Sequence, residues 1–129
     1  MSIVDDIEDA IRVHCAWADR LKAAIATGAS EMTVDIAAND GICPFGRWLH
    51  GATIPESAKA FHSYDHSVQI HREFHQCAAE VLELALSGEA KEALLRMSDA
   101  SDYVTISVML TLTLRAWQID IQHAAEAAA

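Results

Sequence analysis

Along the first quarter of the chain, Val4, Ile7, Ile11, His14, Ala18, Leu21 and Ile25 recur at spacings of three and four. That period belongs to a helix with one inward face. The helix is expected from about Ser2 to Thr27. Ser2 and Asp5 resemble a capping box, acidic residues load the first turns, and Gly28 is a natural stop. The same period returns at Phe61, Tyr64, Val68, His71, His75, Ala78, Leu82 and Ala85. It predicts a central helix from near Thr53, where Thr53-Ile54-Pro55-Glu56 reads as a capping box, to Ser87 before Gly88.

The remaining segments are less regular. Residues 28–52 carry Gly28, Asn39-Asp40-Gly41, Pro44, Gly46 and Gly51, which is turn chemistry. Within them Cys43-Pro44-Phe45-Gly46-Arg47-Trp48-Leu49 predicts a short helix with Pro at its first position. From about Glu89 to the alanine-rich end a last long helix is expected against a competing signal. Val104, Ile106, Val108, Leu110, Leu112 and Leu114 alternate as a strand would. A lone strand has no pairing partner in this chain, so helix is the reading. Being apolar on more than one face, that helix needs cover, and a second subunit is the simplest. The fold class is therefore all-α: a four-helix-type bundle with a short extra helix in the connection after the first helix. Residues 1–129 are expected to form a single domain.

Charge and cysteine content narrow the function. The formal net charge of −10 and the lack of a Lys/Arg cluster disfavour nucleic acid and an anionic membrane surface as partners. The start, Met1-Ser2-Ile3-Val4-Asp5-Asp6, lacks the basic residues of a secretory signal. No uninterrupted apolar run reaches the roughly 18 residues of a membrane span. A soluble cytoplasmic protein is the expectation. Three cysteines, an odd number, do not make a disulfide framework and are free for metal or redox roles.

The two seams hold the candidate chemistry. His14 lies on the first, and His71 and His75, four apart and so one turn apart on one face, lie on the second. A single seam histidine is more often a hydrogen-bonded core residue. Three in register on inward faces each need a partner for a ring nitrogen, and one shared metal supplies it. Cys43, in the tight turn before Pro44, is the natural fourth ligand, and the positive end of the short helix favours its thiolate. Three imidazoles and one thiolate make a closed tetrahedral set suited to zinc, with no position left for catalytic water. Trp17, Phe45, Trp48 and Phe74 are expected to form an apolar shell around it.

The other titratable residues are read differently. His62 and His66 lie off the seam and are expected to face solvent, with a second metal as the minor alternative, while His50 and His123 receive no role. Cys15 points away from His14 and reads as packing, and Cys77 lies on a face turned well away from His75; either could pair with Cys43 if the site opened. A di-iron bundle needs several inward Glu and Glu-x-x-His pairs, and Glu73 and Glu80 do not share the seam of His71 and His75.

His14-x-x-Trp17, Cys43-Pro44-Phe45-Gly46-Arg47-Trp48-Leu49 and His71-Arg72-Glu73-Phe74-His75 together resemble the bacterial chemoreceptor zinc-binding (CZB) domain over roughly residues 10 to 117. The resemblance implies a helical bundle, often a homodimer, that is not an enzyme and binds one zinc per protomer through His14, Cys43, His71 and His75. It further implies a regulatory role beside a chemoreceptor or diguanylate cyclase, responding to zinc level or to oxidation of the ligand cysteine by hypochlorous acid and similar oxidants. A structural or buffering zinc module with dimerisation as its only output is the alternative. The chain departs from the usual layout in carrying no signalling or cyclase domain. The Met1 start and alanine-rich end favour a free-standing protein over a fragment.

Overall fold

A computed structural model describes residues 2–128; the Met1 start and the last alanine of the tail lie outside them. The described residues are helical, with no strand among them. The bundle expected from the periodicity is present, and the alternating stretch from Val104 to Leu114 is helix. The long elements are α1 (Ile3–Cys15), α2 (Trp17–Thr27), α6 (His62–Leu86) and α8 (Asp102–Ala128). Four short helices join them: α3 (Val34–Ala38), α4 (Pro44–Leu49), α5 (Glu56–Lys59) and α7 (Ala90–Leu95).

The first expected helix begins where its capping chemistry places it, with Ser2 Oγ accepting from the Asp5 N–H at 3.1 Å, and it ends at Gly28 with φ +73°. It is interrupted once, at Ala16. The Asp19 N–H bonds to Ala16 O at 3.2 Å, a three-residue step that tightens the turn. Upstream of it α1 packs on α8, and downstream α2 packs on α6. The turn reconciles those two directions.

The central helix ends as expected, at Ser87 before Gly88 (φ +80°), but it starts at His62 and not near Thr53. The Thr53 capping box does not form. Pro55 instead begins the single turn α5, and Phe61 is the N-cap of α6. Tertiary bonds override the local pattern. Ile54 and Ala58 are buried, and the Trp117 indole N–H donates to Ala58 O at 3.0 Å. The last expected helix is likewise two pieces, α7 and α8. Ala100 sits between them with φ +74°, a conformation costly for a residue with a Cβ.

The core lies between α6 and its neighbours α2, α3 and α8. Trp117, fully buried, packs at tilted angles with ring centroids 5.2 Å from Tyr64 and 5.9 Å from Trp48, while the Tyr64 hydroxyl donates to Leu49 O at 2.8 Å. These contacts fasten α4, and with it Cys43, to α6 and α8. By length and composition α8 is apolar enough to cross a membrane. One side of it, Tyr103, Leu110, Leu114 and Trp117, is buried in the core, while Val108, Leu112 and Ile119 on the other side are exposed.

Candidate metal centre

Each candidate ligand is set by its element. His14 is carried at the end of α1, two residues before the break, and His71 and His75 sit one turn apart on the buried face of α6. Cys43 is the N-cap of α4, with extended backbone (φ −65°, ψ 145°) and Pro44 in the first helical position. Its Sγ accepts the Gly46 N–H at 3.2 Å. Gly46 is required there. A Cβ on it would lie 1.6 Å from the Asp40 carbonyl oxygen and 3.3 Å from His71 Cε1.

The four side chains converge. His71 Nε2 lies 3.1 Å from His14 Nε2, 3.0 Å from His75 Nε2 and 3.5 Å from Cys43 Sγ. All four donor atoms fall within 4.8 Å of one another. Around a tetrahedral zinc, with bonds of about 2.0 Å to nitrogen and 2.3 Å to sulfur, the edges are roughly 3.3 Å for N···N and 3.5 Å for N···S. The three measured separations match those edges.

Hydrogen bonding at the outer nitrogens decides what the centre needs. His14 Nδ1 is 2.7 Å from Ala10 O and His75 Nδ1 is 2.9 Å from Ala37 O, so in both rings Nδ1 carries the proton and Nε2 a bare lone pair. Both lone pairs point at His71 Nε2, which can give a proton to one of them at most. A cation at the centre satisfies all three, and the two carbonyls are the outer partners that orient such ligands. His71 Nδ1 is buried with no partner.

The environment keeps these groups neutral. Burial, helped by the neighbouring imidazoles, lowers His14 to about 4 and His71 to about 2. Burial also lowers His75, against the opposing Ala37 bond. Neutral imidazole is the ligating form. Cys43 departs from expectation. Burial pushes its thiol up, and the backbone N–H groups of Gly46 and Phe45 oppose this without reversing it. The helix end therefore does not by itself produce a thiolate; coordination to a metal does.

The apolar shell is where the motifs place it. Phe45 lies 5.5 Å and Phe74 5.3 Å from His14, Phe45 is 5.1 Å from His71, and Trp17 is 5.4 Å from His75, all edge-on. His62 and His66 stack at 6.0 Å away from the centre, His62 exposed and His66 half-buried. His50 is 3.4 Å from Asp40 Oδ2, and His123 is exposed. Cys15 is exposed, not packed, and Cys77 is half-buried; neither joins the cluster. Sequence reasoning missed α3 and the roles of Ala10 and Ala37. The latter two act through backbone carbonyls, which leave no residue-type signal. For α3, Thr33 followed by Asp35 was the available sign, and the Thr33 hydroxyl does accept the Ile36 N–H at 3.3 Å.

Comparison with curated proteins and with solved structures finds no match. The family model for the chemoreceptor zinc-binding domain matches residues 14–82. That span runs from the first ligand candidate, His14, through Cys43, His71 and His75 to Leu82, and leaves α7 and α8 outside it. Three histidines and one cysteine, converged within 4.8 Å with the three separations from His71 near tetrahedral edges, are a donor set for zinc. With more than half of its residues matched by that model, this chain belongs to the chemoreceptor zinc-binding domain family.

Proposed function

We propose that this protein is a cytoplasmic regulatory module, not an enzyme. In this reading His14, Cys43, His71 and His75 hold one zinc ion, and its retention or loss is the signal. The observation that carries the reading is the meeting of two committed lone pairs, from His14 and His75, at His71 Nε2 beside Cys43 Sγ. Bound there, zinc supplies a cross-link and a stabilised thiolate, and the closed set leaves no open position for hydrolytic water.

The ligands come from α1, the Cys43 turn and α6, so losing one thiolate loosens the α3–α4 segment from the two long arms. A partner such as a chemoreceptor or diguanylate cyclase would read that change. The homodimer expected from the sequence is assigned to the outer face of α8. From Tyr103 to Ile119 the helix holds one charged residue, Arg115, and its guanidinium is already paired with Glu8. Two protomers of net charge −10 meet with least repulsion on that face, where Val108, Leu112 and Ile119 are 52%, 62% and 49% exposed.

The test is metal content per protomer for wild type and Cys43→Ala, before and after a mild thiol oxidant. About one zinc in the wild type, lost in the variant and released by oxidant, supports the module as described. Zinc that oxidant leaves in place favours a structural or buffering role, and iron or no metal overturns the ligand assignment.

A further inference from the structure

The centre has an approach from solvent. A groove of about 530 Å³ runs between α1, the first turns of α2 and the α3–α4 segment, and Cys43, His14 and His75 line it. Trp17, Phe45 and Trp48 give it three aromatic walls. Val13, Ile36 and Ile42 form an apolar rim, exposed to 55%, 45% and 40%. Apolar surface left open beside a reactive group marks a binding site more than a core defect, and the volume lies in the range of small-molecule pockets.

Charge defines what the groove accepts. Its charged residues are Asp6, Asp9 and Arg20. Asp9 is paired with Arg12, and the Arg20 guanidinium lies 4.8 Å above the Trp17 ring. Asp6 and the net charge of −10 repel anions. The one cation of the lining, Arg20, is set against two carboxylates, Asp6 and Asp9, so the lining as a whole does not favour a carboxylate or phosphate. What fits is flat, neutral and apolar, able to lie against aromatic faces such as Phe45 and Trp48, whose rings are 5.7 Å apart and inclined by 33°.

We propose that this groove binds neutral aromatic molecules of one or two rings and presents the quinones among them to Cys43 Sγ. The inference rests on the reading of Cys43 as the signalling ligand and names the chemical class of the signal. In the step, the Sγ lone pair forms a C–S bond to a ring carbon adjacent to a quinone carbonyl carbon. The displaced C=C pair shifts to the conjugated carbonyl oxygen, which takes a proton from water. Loss of the ring proton at the attacked carbon and protonation of the second oxygen complete a hydroquinone thioether. The two carbonyl carbons are reduced by the two electrons that the attacked ring carbon formally gives up, the sulfur passes from thiolate to thioether without changing oxidation state, and no other oxidant or reductant takes part. A neutral thioether offers a metal far less than a thiolate, leaving three histidines to hold it.

The experiment compares 1,4-naphthoquinone with its anionic 2-sulfonate on the zinc-loaded protein. Adduct sites are located by peptide mass spectrometry, zinc release is followed with a chromophoric indicator, and each rate is divided by that for glutathione. The expected result is reaction at Cys43 ahead of the exposed Cys15, with the neutral quinone favoured by at least about ten-fold. Ile36→Lys and Ile42→Lys, each adding a positive charge at the rim that attracts the sulfonate, should cut that preference to roughly three-fold or less. Equal normalised rates in the wild type, first reaction at Cys15, or rim variants that keep the full preference would overturn the proposal. Metal content is measured before the reagent is added, so an absence of zinc refutes the metal reading while the rate ratio at Cys43 still scores the groove. Cys43 modified with zinc retained refutes the coupling between groove and metal.

Discussion

Gly46→Ala is the sharpest probe of how the centre is built. The new methyl would stand 1.6 Å from the Asp40 carbonyl oxygen and 2.8 Å from the Asp40 carbonyl carbon. Both are backbone atoms, so no rotamer change relieves the clash. To restore even a 3.0 Å separation, α4 must move by roughly 1.4 Å away from the Asp40 turn. Cys43 is the N-cap of that helix and moves with it. Zinc sites tolerate about 0.2 Å in ligand distance, so the thiolate falls outside bonding range unless the turn deforms. Overpacking of this kind costs about 1–3 kcal/mol in fold stability. Loss of one ligand should further weaken zinc binding by at least about ten-fold, or 1.4 kcal/mol. Zinc affinity is measured by competition with a chromophoric chelator, and thermal unfolding is recorded with and without metal. Gly41→Ala is the control, because its methyl would meet only the Asn39 side chain, at 3.3 Å. A Gly46→Ala protein that binds zinc within two-fold of wild type and melts at the same temperature would refute the account of the Asp40–Gly46 approach and of what holds Cys43.

Three other outcomes are expected. In the metal-free protein His14 and His71 are held at about 4 and about 2, below their ordinary 6.5. The unfolded chain therefore binds more protons in that window, and stability, full above pH 6.5, declines as pH falls toward 4. The slope should approach about 1.4 kcal/mol per pH unit for each histidine; a flat denaturant midpoint between those pH values would show that the rings are not buried neutral. Ala100→Gly should raise stability by about 0.5–1 kcal/mol, because Ala100 has φ +74°, and a lowered melting temperature would contradict that backbone conformation. Leu112→Glu, at a position 62% exposed, should leave the protomer's melting temperature nearly unchanged and convert a dimer to monomer in sedimentation; a dimer that persists would place the interface elsewhere.

Much of the centre was legible because helical periodicity carries direction. His14, His71 and His75 fall on the same seams as Ile7, Ile11, Ala78 and Leu82, and all seven are buried. Cys43 was legible because Pro44 fixes the start of α4 beside it. The starts and breaks of the long helices were less so. Thr53-Ile54-Pro55-Glu56 has every local sign of a helix start. Nonetheless, a hydrogen bond from Trp117, far along the chain, to Ala58 and the burial of Ile54 hold that segment as a single separate turn. No glycine or proline marks the interruption at Ala16, and the residues between α7 and α8 read as continuous helix. Both breaks answer to the packing directions of distant partners, which a local pattern does not contain.

The interruption at Ala16 also gives the molecule a lever. His14, two residues before it, is a candidate ligand, and Trp17, just after it, packs on His75. The 13 residues of α1 extend from that fulcrum for about 20 Å. A change of about 10° in its angle therefore displaces the far end by about 3.5 Å. At that end Gln118 of α8 donates to Val4 O at 3.0 Å, and partway along α1 Arg115 pairs with Glu8. A rearrangement of ångström scale at the four-residue cluster would thus be magnified along α1 and reach the helix whose opposite side is exposed.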